Sequence, residues 1–260
     1  MEFIDLKTQY NKIKKQVNRN IDKVLEHGKF IMGPEIQELE DRLSKYVGIK
    51  HAITCSSGTD ALLIPLMAKG IGPGDAVITV SFTFVSTAEV ISMLGATPIF
   101  TDICSKCFNI SDKKIEQSIN LAKQKGLKPK AIIPVDLFGQ PANYDKIEKI
   151  ADKHQMFVLE DLAQGFGGSQ NGKKTGSFGL CGATSFFPAK PLGCYGDGGA
   201  IFTDNDELAD IMKSIRVHGK GSDKYDNVRI GVNGRLDTIQ AAILLAKLDI
   251  FDLEIKLRNK

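Results

Sequence analysis

The sequence of 260 residues lacks tryptophan, and only 7% of its residues are aromatic. Its five cysteines, at positions 55, 104, 107, 181 and 194, have no framework spacing. An odd, irregular set argues against a disulfide-stapled secreted domain and favours free thiols in a reducing cytoplasm. Cys104 and Cys107 form a lone Cys-x-x-Cys without a second pair or a nearby histidine. A surface turn is therefore favoured there over a metal or redox role, and no metal site is predicted.

Long apolar runs and blocks of like charge are also missing. No stretch is apolar for long enough to span a bilayer, and the first residues lack the features of a signal peptide. The 34 basic and 31 acidic residues are mixed along the chain, with a net charge of +3. Neither a membrane nor nucleic acid is predicted as a partner. We expect a cytoplasmic globular protein that acts on small molecules.

Short apolar runs alternate with amphipathic stretches over most of the chain. Candidate strands are His51–Thr54, Ala76–Val80, Thr97–Asp102, Ala131–Asp136, Phe157–Glu160, Ala183–Phe187 and Ala200–Thr203. Candidate helices are Pro34–Val47, Gly58–Lys69, Thr83–Leu94, Ser111–Gln124, Tyr144–His154 and Asp206–Arg216. This alternation predicts an α/β fold with a mostly parallel central sheet covered by helices on both faces.

The last stretch, Asp237 to Lys260, is predicted as one long helix without a cap or stop signal. We expect it to lead into a further segment that is absent here. Its apolar residues Ile239, Ile243, Ala246 and Leu248 would then lack a packing partner and form an exposed patch.

Three segments can carry chemistry, and each has a plain structural alternative. Residues 55–62, Cys-Ser-Ser-Gly-Thr-Asp-Ala-Leu, follow a strand and open a helix, where small residues and free N–H groups favour a phosphate. The alternative is a helix cap. Asp161 ends an apolar strand, where α/β proteins place their ligands. Taken alone, it would more simply cap the next helix.

Lys190 is the third feature. It stands among aromatic, proline and glycine residues, which suggests partial desolvation, a lowered pKa and a competent carbonyl-binding amine. The alternative is a lysine on an ordinary loop. Taken together, a phosphate cradle, a strand-end carboxylate and a desolvated lysine are what pyridoxal phosphate requires. A dinucleotide fold is disfavoured, because Gly165, Gly167 and Gly168 follow the acid rather than the strand.

Several stretches then suggest a family: Gly33-Pro34-Glu35, Ser57 to Leu62, Phe82-Thr83-Phe84, Glu160-Asp161, Ser185-Phe186-Phe187 with Lys190, His218-Gly219, and Asn233-Gly234-Arg235 with Gln240-Ala241-Ala242. Along essentially its whole length the sequence resembles the DegT/DnrJ/StrS family of sugar aminotransferases, which have the aspartate-aminotransferase-like (type I) fold. Residues 191–199 and 231–237 look like those of the bacterial UDP-2-acetamido-2-deoxy-3-oxo-glucuronate aminotransferases.

The resemblance implies a role for each matching residue. Lys190 would carry pyridoxal 5'-phosphate, and Asp161 would pair with its ring nitrogen. Phe84 would stack on the ring, and Gln164 would lie beside its phenolic oxygen. The remaining assignments are Gly58, Thr59 and Ser185 on the phosphate, Asn233 on the phosphate of the partner subunit, and Arg235 on a substrate carboxylate or diphosphate. An inter-subunit or capping role for Arg235 stays open.

The resemblance also implies an organisation and an activity. Residues 1–236 would form the large cofactor-binding domain, and residues 237–260 would begin the helix leading to an absent C-terminal small domain. The expected enzyme is a homodimer that transfers an amino group from glutamate to a UDP-linked 3-keto-N-acetylglucosaminuronic acid, for a surface polysaccharide. Leu162 departs from the family, which more often has alanine there. The alternatives are a sibling aminotransferase on another nucleotide keto-sugar and a non-catalytic fragment. A dehydratase of the family typically lacks the lysine, so Lys190 argues against it.

Overall fold

The computed structural model describes residues 4–223 and 225–259. Numbered in chain order, the strands are β1 His51–Cys55, β2 Asp75–Val80, β3 Thr97–Thr101, β4 Lys128–Ile132, β5 Phe157–Asp161, β6 Ser169–Gln170, β7 Lys173–Lys174, β8 Cys181–Ser185 and β9 Gly199–Thr203. The helices are α1 Leu6–His27, α2 Pro34–Val47, α3 Gly58–Ala68, α4 Ser86–Met93, α5 Asp112–Gln124, α6 Tyr144–Lys153, α7 Asp206–Ile215, α8 Thr238–Leu248 and α9 Phe251–Arg258.

A seven-stranded sheet forms the centre, in the order β1-β9-β8-β5-β4-β2-β3. Strand β9 runs antiparallel to β1 and β8, and the other pairs are parallel. Strands β6 and β7 form a separate small hairpin. The predicted α/β fold with a mostly parallel sheet is therefore confirmed.

Side-chain alternation along the strands divides the core between the two faces of the sheet. Val77 and Leu159 pack with the helices α3 and α7 on one face. Ile78 and Val158 pack with α5 and α6 on the other. A neighbouring cluster joins α2 and α8 to β1 and β9. Because both faces are covered, the strands are apolar on both sides, as expected of a buried parallel sheet.

Most predicted elements occur with small boundary changes, and α2 has the predicted bounds. The fourth strand differs most, because it was predicted at Ala131–Asp136 and is observed at Lys128–Ile132. Pro134 cannot donate a ladder hydrogen bond. Beyond Pro134, pairing with β5 continues only through an isolated parallel bridge between Val135 and Asp161.

Helix α1 was not predicted, although it is the longest helix of the described residues at 22 residues. Its signals are present in the sequence. Asp5 caps it by accepting a hydrogen bond from the Thr8 N–H at 2.8 Å, and Gly28 ends it in the left-handed conformation at φ 67°. Its apolar stripe includes Ile13 and Val17, which are buried.

The prediction of one helix from Asp237 to Lys260 is wrong over the described residues; Lys260 lies outside them. The chain breaks between α8 and α9, because Phe251 turns into the core and packs on Phe166 and Tyr46 at ring-centroid distances of 5.4 and 5.5 Å. The expected apolar patch is also wrong. Ile243 and Ala246 are 2% and 1% exposed.

These two side chains pack against Ile13 and Val17 of α1. The Asn20 side chain also donates a hydrogen bond to the Ala242 carbonyl at 3.0 Å. Helix α1 is therefore the packing partner that α8 was expected to lack. The division at residue 236 stays a prediction.

Candidate active site

The predicted site residues come together at the edge of the sheet where the parallel strands end. Asp161 ends β5 and Ser185 ends its parallel neighbour β8. Cys55 at the end of β1 and Ser185 both pair with Gly199, the first residue of the antiparallel strand between them. Three segments that are distant in sequence thus meet along one edge.

The proposed phosphate cradle is a close approach of two backbone segments. A Cβ atom on Gly58 would lie 2.5 Å from the Cβ of Ser185, so only glycine fits at this position. Ser57 caps α3 by accepting a hydrogen bond from the Asp60 N–H at 3.0 Å. The N–H groups of Gly58 and Thr59 belong to the first helical turn, whose donors have no intrahelical acceptor. This arrangement suits an anion.

Asp161 points to the face of the sheet that α4 covers, while Glu160 points to the opposite face. The Thr87 hydroxyl of α4 donates to Asp161 Oδ2 at 2.8 Å, and the Ala163 N–H donates to Oδ1 at 3.2 Å. Thr83, one turn before, shares a 2.9 Å hydrogen bond with Thr87. Thr87 was missed in the sequence, where only the four-residue spacing of Thr83 and Thr87 hinted at a pair on one helix face.

Lys190 lies on a loop whose base is closed by a hydrogen bond from the Cys194 N–H to the Phe186 carbonyl at 2.8 Å. The Lys190 N–H donates to the Phe187 carbonyl at 2.8 Å, which forms a tight turn. A cleft of about 910 Å³ opens beside it, between the start of α1 and α9. Lys190 and Gln164 both line this cleft, as does Phe138.

The charges of Asp161 and Lys190 influence each other. Burial raises the pKa of Asp161, while the hydrogen bonds from Thr87 and Ala163 and the positive charge of Lys190 oppose that rise. Burial lowers the pKa of Lys190, and the Asp161 charge opposes this. The lowered pKa matches the desolvation expected from the residues around Lys190. An amine and a carboxylate of this kind at one sheet edge are typical of a site for a cationic heteroaromatic ring with a carbonyl.

The other predicted residues lie around this edge. Phe84 follows β2 and is 72% exposed, so its ring is free to stack on a ligand. The Ser56 N–H donates to the Gly234 carbonyl at 3.0 Å, which places the neighbouring Asn233 near the segment that leads to the cradle. The Arg235 guanidinium donates to the Asn233 amide oxygen, and Asn233 is exposed. The expected contact of Asn233 with the phosphate of a partner subunit stays a prediction.

A buried acid pair beneath this edge was also missed. Asp136 Oδ1 accepts hydrogen bonds from the Ala142 N–H at 2.9 Å and the Tyr144 hydroxyl at 2.8 Å. Glu160 accepts from the N–H groups of Gly176 and Phe178 at 2.9 and 3.1 Å, and its carboxyl group interacts with that of Asp136.

Burial raises the pKa of Asp136 to about 7 and raises that of Glu160 well above its usual value. The pair therefore retains a proton near neutral pH. Backbone hydrogen bonds from Asp136 N–H to the Asp161 carbonyl and from Asp161 N–H to the Pro134 carbonyl, both 2.9 Å, connect this pair to the site.

Comparison with known proteins identifies the family. The model of the DegT/DnrJ/EryC1/StrS aminotransferase family matches residues 11–260. The chain belongs to this family. It is 52% identical to the UDP-2-acetamido-2-deoxy-3-oxo-D-glucuronate aminotransferase of Pseudomonas aeruginosa, over all of this chain and 70% of that protein.

Two solved structures extend the match. A DegT/DnrJ/EryC1/StrS aminotransferase from Brucella abortus superposes with a TM-score of 0.98 at 52% identity, covering 100% of this chain and 70% of that one. NtdA from Bacillus subtilis, solved with bound cofactor PMP, gives a TM-score of 0.88 at 34% identity, covering 97% and 57%. The predicted fold, family, enzyme class and pyridoxal phosphate cofactor are thereby confirmed.

Two further findings concern the described residues only. Within residues 4–223 and 225–259, no helix is both long and apolar enough to cross a membrane. Over the same ranges, no cluster of three or more histidine, cysteine, aspartate or glutamate side chains could hold a metal ion.

Proposed function

We propose that this aminotransferase transfers an amino group from glutamate to the keto group of a UDP-linked 3-keto-N-acetylglucosaminuronic acid. The chemistry is supported by three features that lie at one edge of the sheet. These are the close approach of Gly58 to Ser185, the Asp161 carboxylate that accepts a hydrogen bond from Thr87, and the partly buried Lys190. The 52% identical Pseudomonas relative, named for this keto-sugar, supports the choice of substrate.

Each residue then has a definite task. Lys190 would hold the cofactor through its amine and, when that amine is free, would move a proton at the reacting carbon of the substrate. Asp161 would keep a proton on the ring nitrogen, and Gly58, Thr59 and Ser185 would hold the phosphate. Bound pyridoxal phosphate supplies an electron-accepting ring that stabilises the negative charge developing on that carbon.

We propose further that the active unit is a cytoplasmic homodimer. Asn233 is exposed close to the cradle segment, which suits a contact with a neighbouring chain. In the described residues the five cysteines are all free, which suits a reducing compartment. A role of the aminated sugar in a surface polysaccharide is part of the same proposal.

Borohydride reduction of the cofactor-loaded protein followed by peptide mapping tests the assignment of Lys190. The label is expected on Lys190 and absent from Lys190→Ala. Lys247 provides a control, because burial lowers its pKa to about 8, so that part of its amine is uncharged near neutral pH. Lys247→Met should leave the labelling of Lys190 intact. Label on Lys247 in the wild-type protein would contradict the assignment.

Mass spectrometry of products tests the substrate. We expect a mass change for amination with UDP-3-keto-N-acetylglucosaminuronic acid and glutamate. The same 3-keto sugar without its carboxylate is the matched probe for Arg235. Arg235→Leu should raise KM for the uronic acid and leave KM for the neutral sugar little changed. Amination of thymidine-diphosphate-linked 6-deoxy sugars alone would favour the sibling aminotransferase.

A further inference from the structure

The segment containing Cys104 and Cys107 is a closed turn between β3 and α5. An isolated bridge between Ile103 and Ile110 joins its ends, and the Cys104 N–H donates to the Asn109 carbonyl at 2.9 Å. Inside the turn, the Phe108 N–H donates to the Cys104 carbonyl at 2.9 Å. Residues three apart in a turn have Cα atoms within about 7 Å, a separation that a disulfide tolerates.

These two thiols differ from the other three. Cys104 and Cys107 are partly exposed and line the same open cleft of about 440 Å³. The remaining three are buried, and burial raises their pKa values: Cys55, Cys181 and Cys194. Only the paired thiols are therefore both accessible and close enough to react with each other.

The environment distinguishes the two members of the pair. Hydrogen bonds from the backbone N–H groups of Cys107 and Lys106 and from the Cys107 thiol lower the pKa of Cys104. Burial raises the pKa of Cys107. Since the thiolate is the attacking species, the lowered pKa favours Cys104 as the nucleophile and Cys107 as the resolving thiol.

The turn is connected to the cofactor cleft through Phe108, which directly follows Cys107. Phe108 has a positive φ of 62°, a conformation set by the turn. Its ring lies 6.1 Å from the ring of Phe82 and 6.3 Å from that of Phe138, which are 6.2 Å from each other. Phe138 lines the cleft with Lys190. The turn is therefore joined to the wall of the cleft by the contacts between these three rings.

We propose that Cys104 and Cys107 are a redox-active dithiol that a low-molecular-weight disulfide oxidises, and that closing the bond displaces Phe108 and weakens cofactor binding. The Cys104 thiolate attacks one sulfur of the reagent, which forms a mixed disulfide and releases one thiolate. The Cys107 thiolate then attacks the Cys104 sulfur and releases the second. The leaving thiolates take up the two protons, and two electrons pass from the cysteine pair to the reagent.

Oxidised glutathione and the full chain test the chemistry without any cofactor. Peptide mapping is expected to find one disulfide that links Cys104 to Cys107, reversed by dithiothreitol. Cys107→Ser should stop at a glutathione adduct on Cys104, while Cys104→Ser should react at least tenfold more slowly. Adducts forming as fast on Cys55 or Cys181 as on Cys104, or no disulfide at all, would overturn the dithiol.

Pyridoxal phosphate titration by absorbance tests the connection to the cleft. We expect the oxidised wild-type protein to have a several-fold higher Kd than the reduced protein, and the Cys104→Ser/Cys107→Ser double variant to show no such difference. Equal Kd values for the two redox states of the wild type would overturn the role of Phe108. Lys190 labelling in the reduced protein is measured separately, so failure of the proposed function remains distinguishable.

Discussion

A single hydroxyl group helps to keep the Asp161 carboxyl group ionised. Thr87 donates to its Oδ2 at 2.8 Å, from a helix 74 residues earlier in the chain. Burial acts against ionisation, because it raises the pKa of this carboxyl group. The balance between these effects decides whether a carboxylate is present to hold the proton on the ring nitrogen.

Removing this hydroxyl in Thr87→Val should raise the Asp161 pKa. The acid limb of the pH–rate profile should then move to higher pH. Losing a hydrogen bond to a charged group costs about 1.5–3 kcal/mol, which corresponds to roughly tenfold or more in rate below that limb. Asp161→Asn, which removes the charge itself, should lose on the order of a hundredfold in the glutamate half-reaction. Stopped-flow half-reactions across pH measure both variants.

The conservative variant Thr87→Ser is the matched control, because it retains a hydroxyl group and should restore most of the rate and the profile. A Thr87→Val enzyme with lower activity but an unchanged pH profile would point to a merely structural role for Thr87.

At the scale of elements, one buried ion pair joins α2, β1 and the end of α7. Arg216 Nη1 lies 2.6 Å from Glu40 Oε1 and donates to the Thr54 carbonyl at 2.8 Å. The Glu40 side chain also accepts from the Thr54 N–H at 2.8 Å. Arg216 and Glu40 are 4% and 7% exposed, so neither charge has water to replace its partner.

Arg216→Met should therefore lower the free energy of unfolding by about 3–5 kcal/mol, because it leaves the buried Glu40 carboxylate unpaired. Arg42→Met is the matched control. Its ion pair with Asp249 at 2.7 Å is partly exposed on both sides and should contribute about 0–1 kcal/mol. Urea denaturation measures both variants, and similar losses would contradict the importance assigned to burial.

The Asp136–Glu160 pair predicts a pH dependence of stability. The folded-state pKa of Asp136 is about 7, well above its ordinary value, so the folded chain binds this proton more tightly than the unfolded chain does. By linkage, the contribution of the pair is fully present below the unfolded pKa, about 4, and is lost as pH rises through about 7.

Asp136→Asn should flatten this part of the profile, since the amide still accepts from Ala142 and Tyr144 and can donate to an ionised Glu160. The measurement is the free energy of unfolding by urea at several pH values between about 4 and 8. Asp152→Asn, at an exposed position, is the control. An unchanged slope for Asp136→Asn would show that the pair does not hold the proton.

At the scale of the whole molecule, Asn233 predicts that each active site needs two chains. We expect a two-fold homodimer that buries roughly 2,000 Å² or more. Mixing Lys190→Ala and Asn233→Ala subunits should then restore activity, because each mixed dimer contains one site with both residues intact. Random pairing gives about a quarter of the wild-type activity.

Mixing Lys190→Ala with Ser185→Ala is the control, since both residues serve the same chain's site and no mixed dimer is intact. Light scattering checks the assembly of every mixture. Restoration in the control, or its absence in the Asn233 mixture of confirmed dimers, would contradict the shared site.

Local patterns in the sequence determined a good deal of this molecule. Helix α2 was predicted with its observed bounds, because a proline start, a helical apolar period and a following glycine all lie within one short window. The order of small residues at Gly58, an acid at Asp161 and a desolvated lysine at Lys190 identified the cofactor, because each residue type carries its own chemistry. The overlooked α1 had comparable local signals, namely the cap at Asp5 and the stop at Gly28.

Only the tertiary structure decided which distant groups meet. The Thr87–Asp161 hydrogen bond and the Asp136–Glu160 acid pair join segments that no local window contains. The partner of α8 is α1, more than 200 residues away, so its apolar side was misjudged as unpaired. Periodicity specifies which side of an element is apolar, but the element that covers it depends on long-range packing of the whole chain.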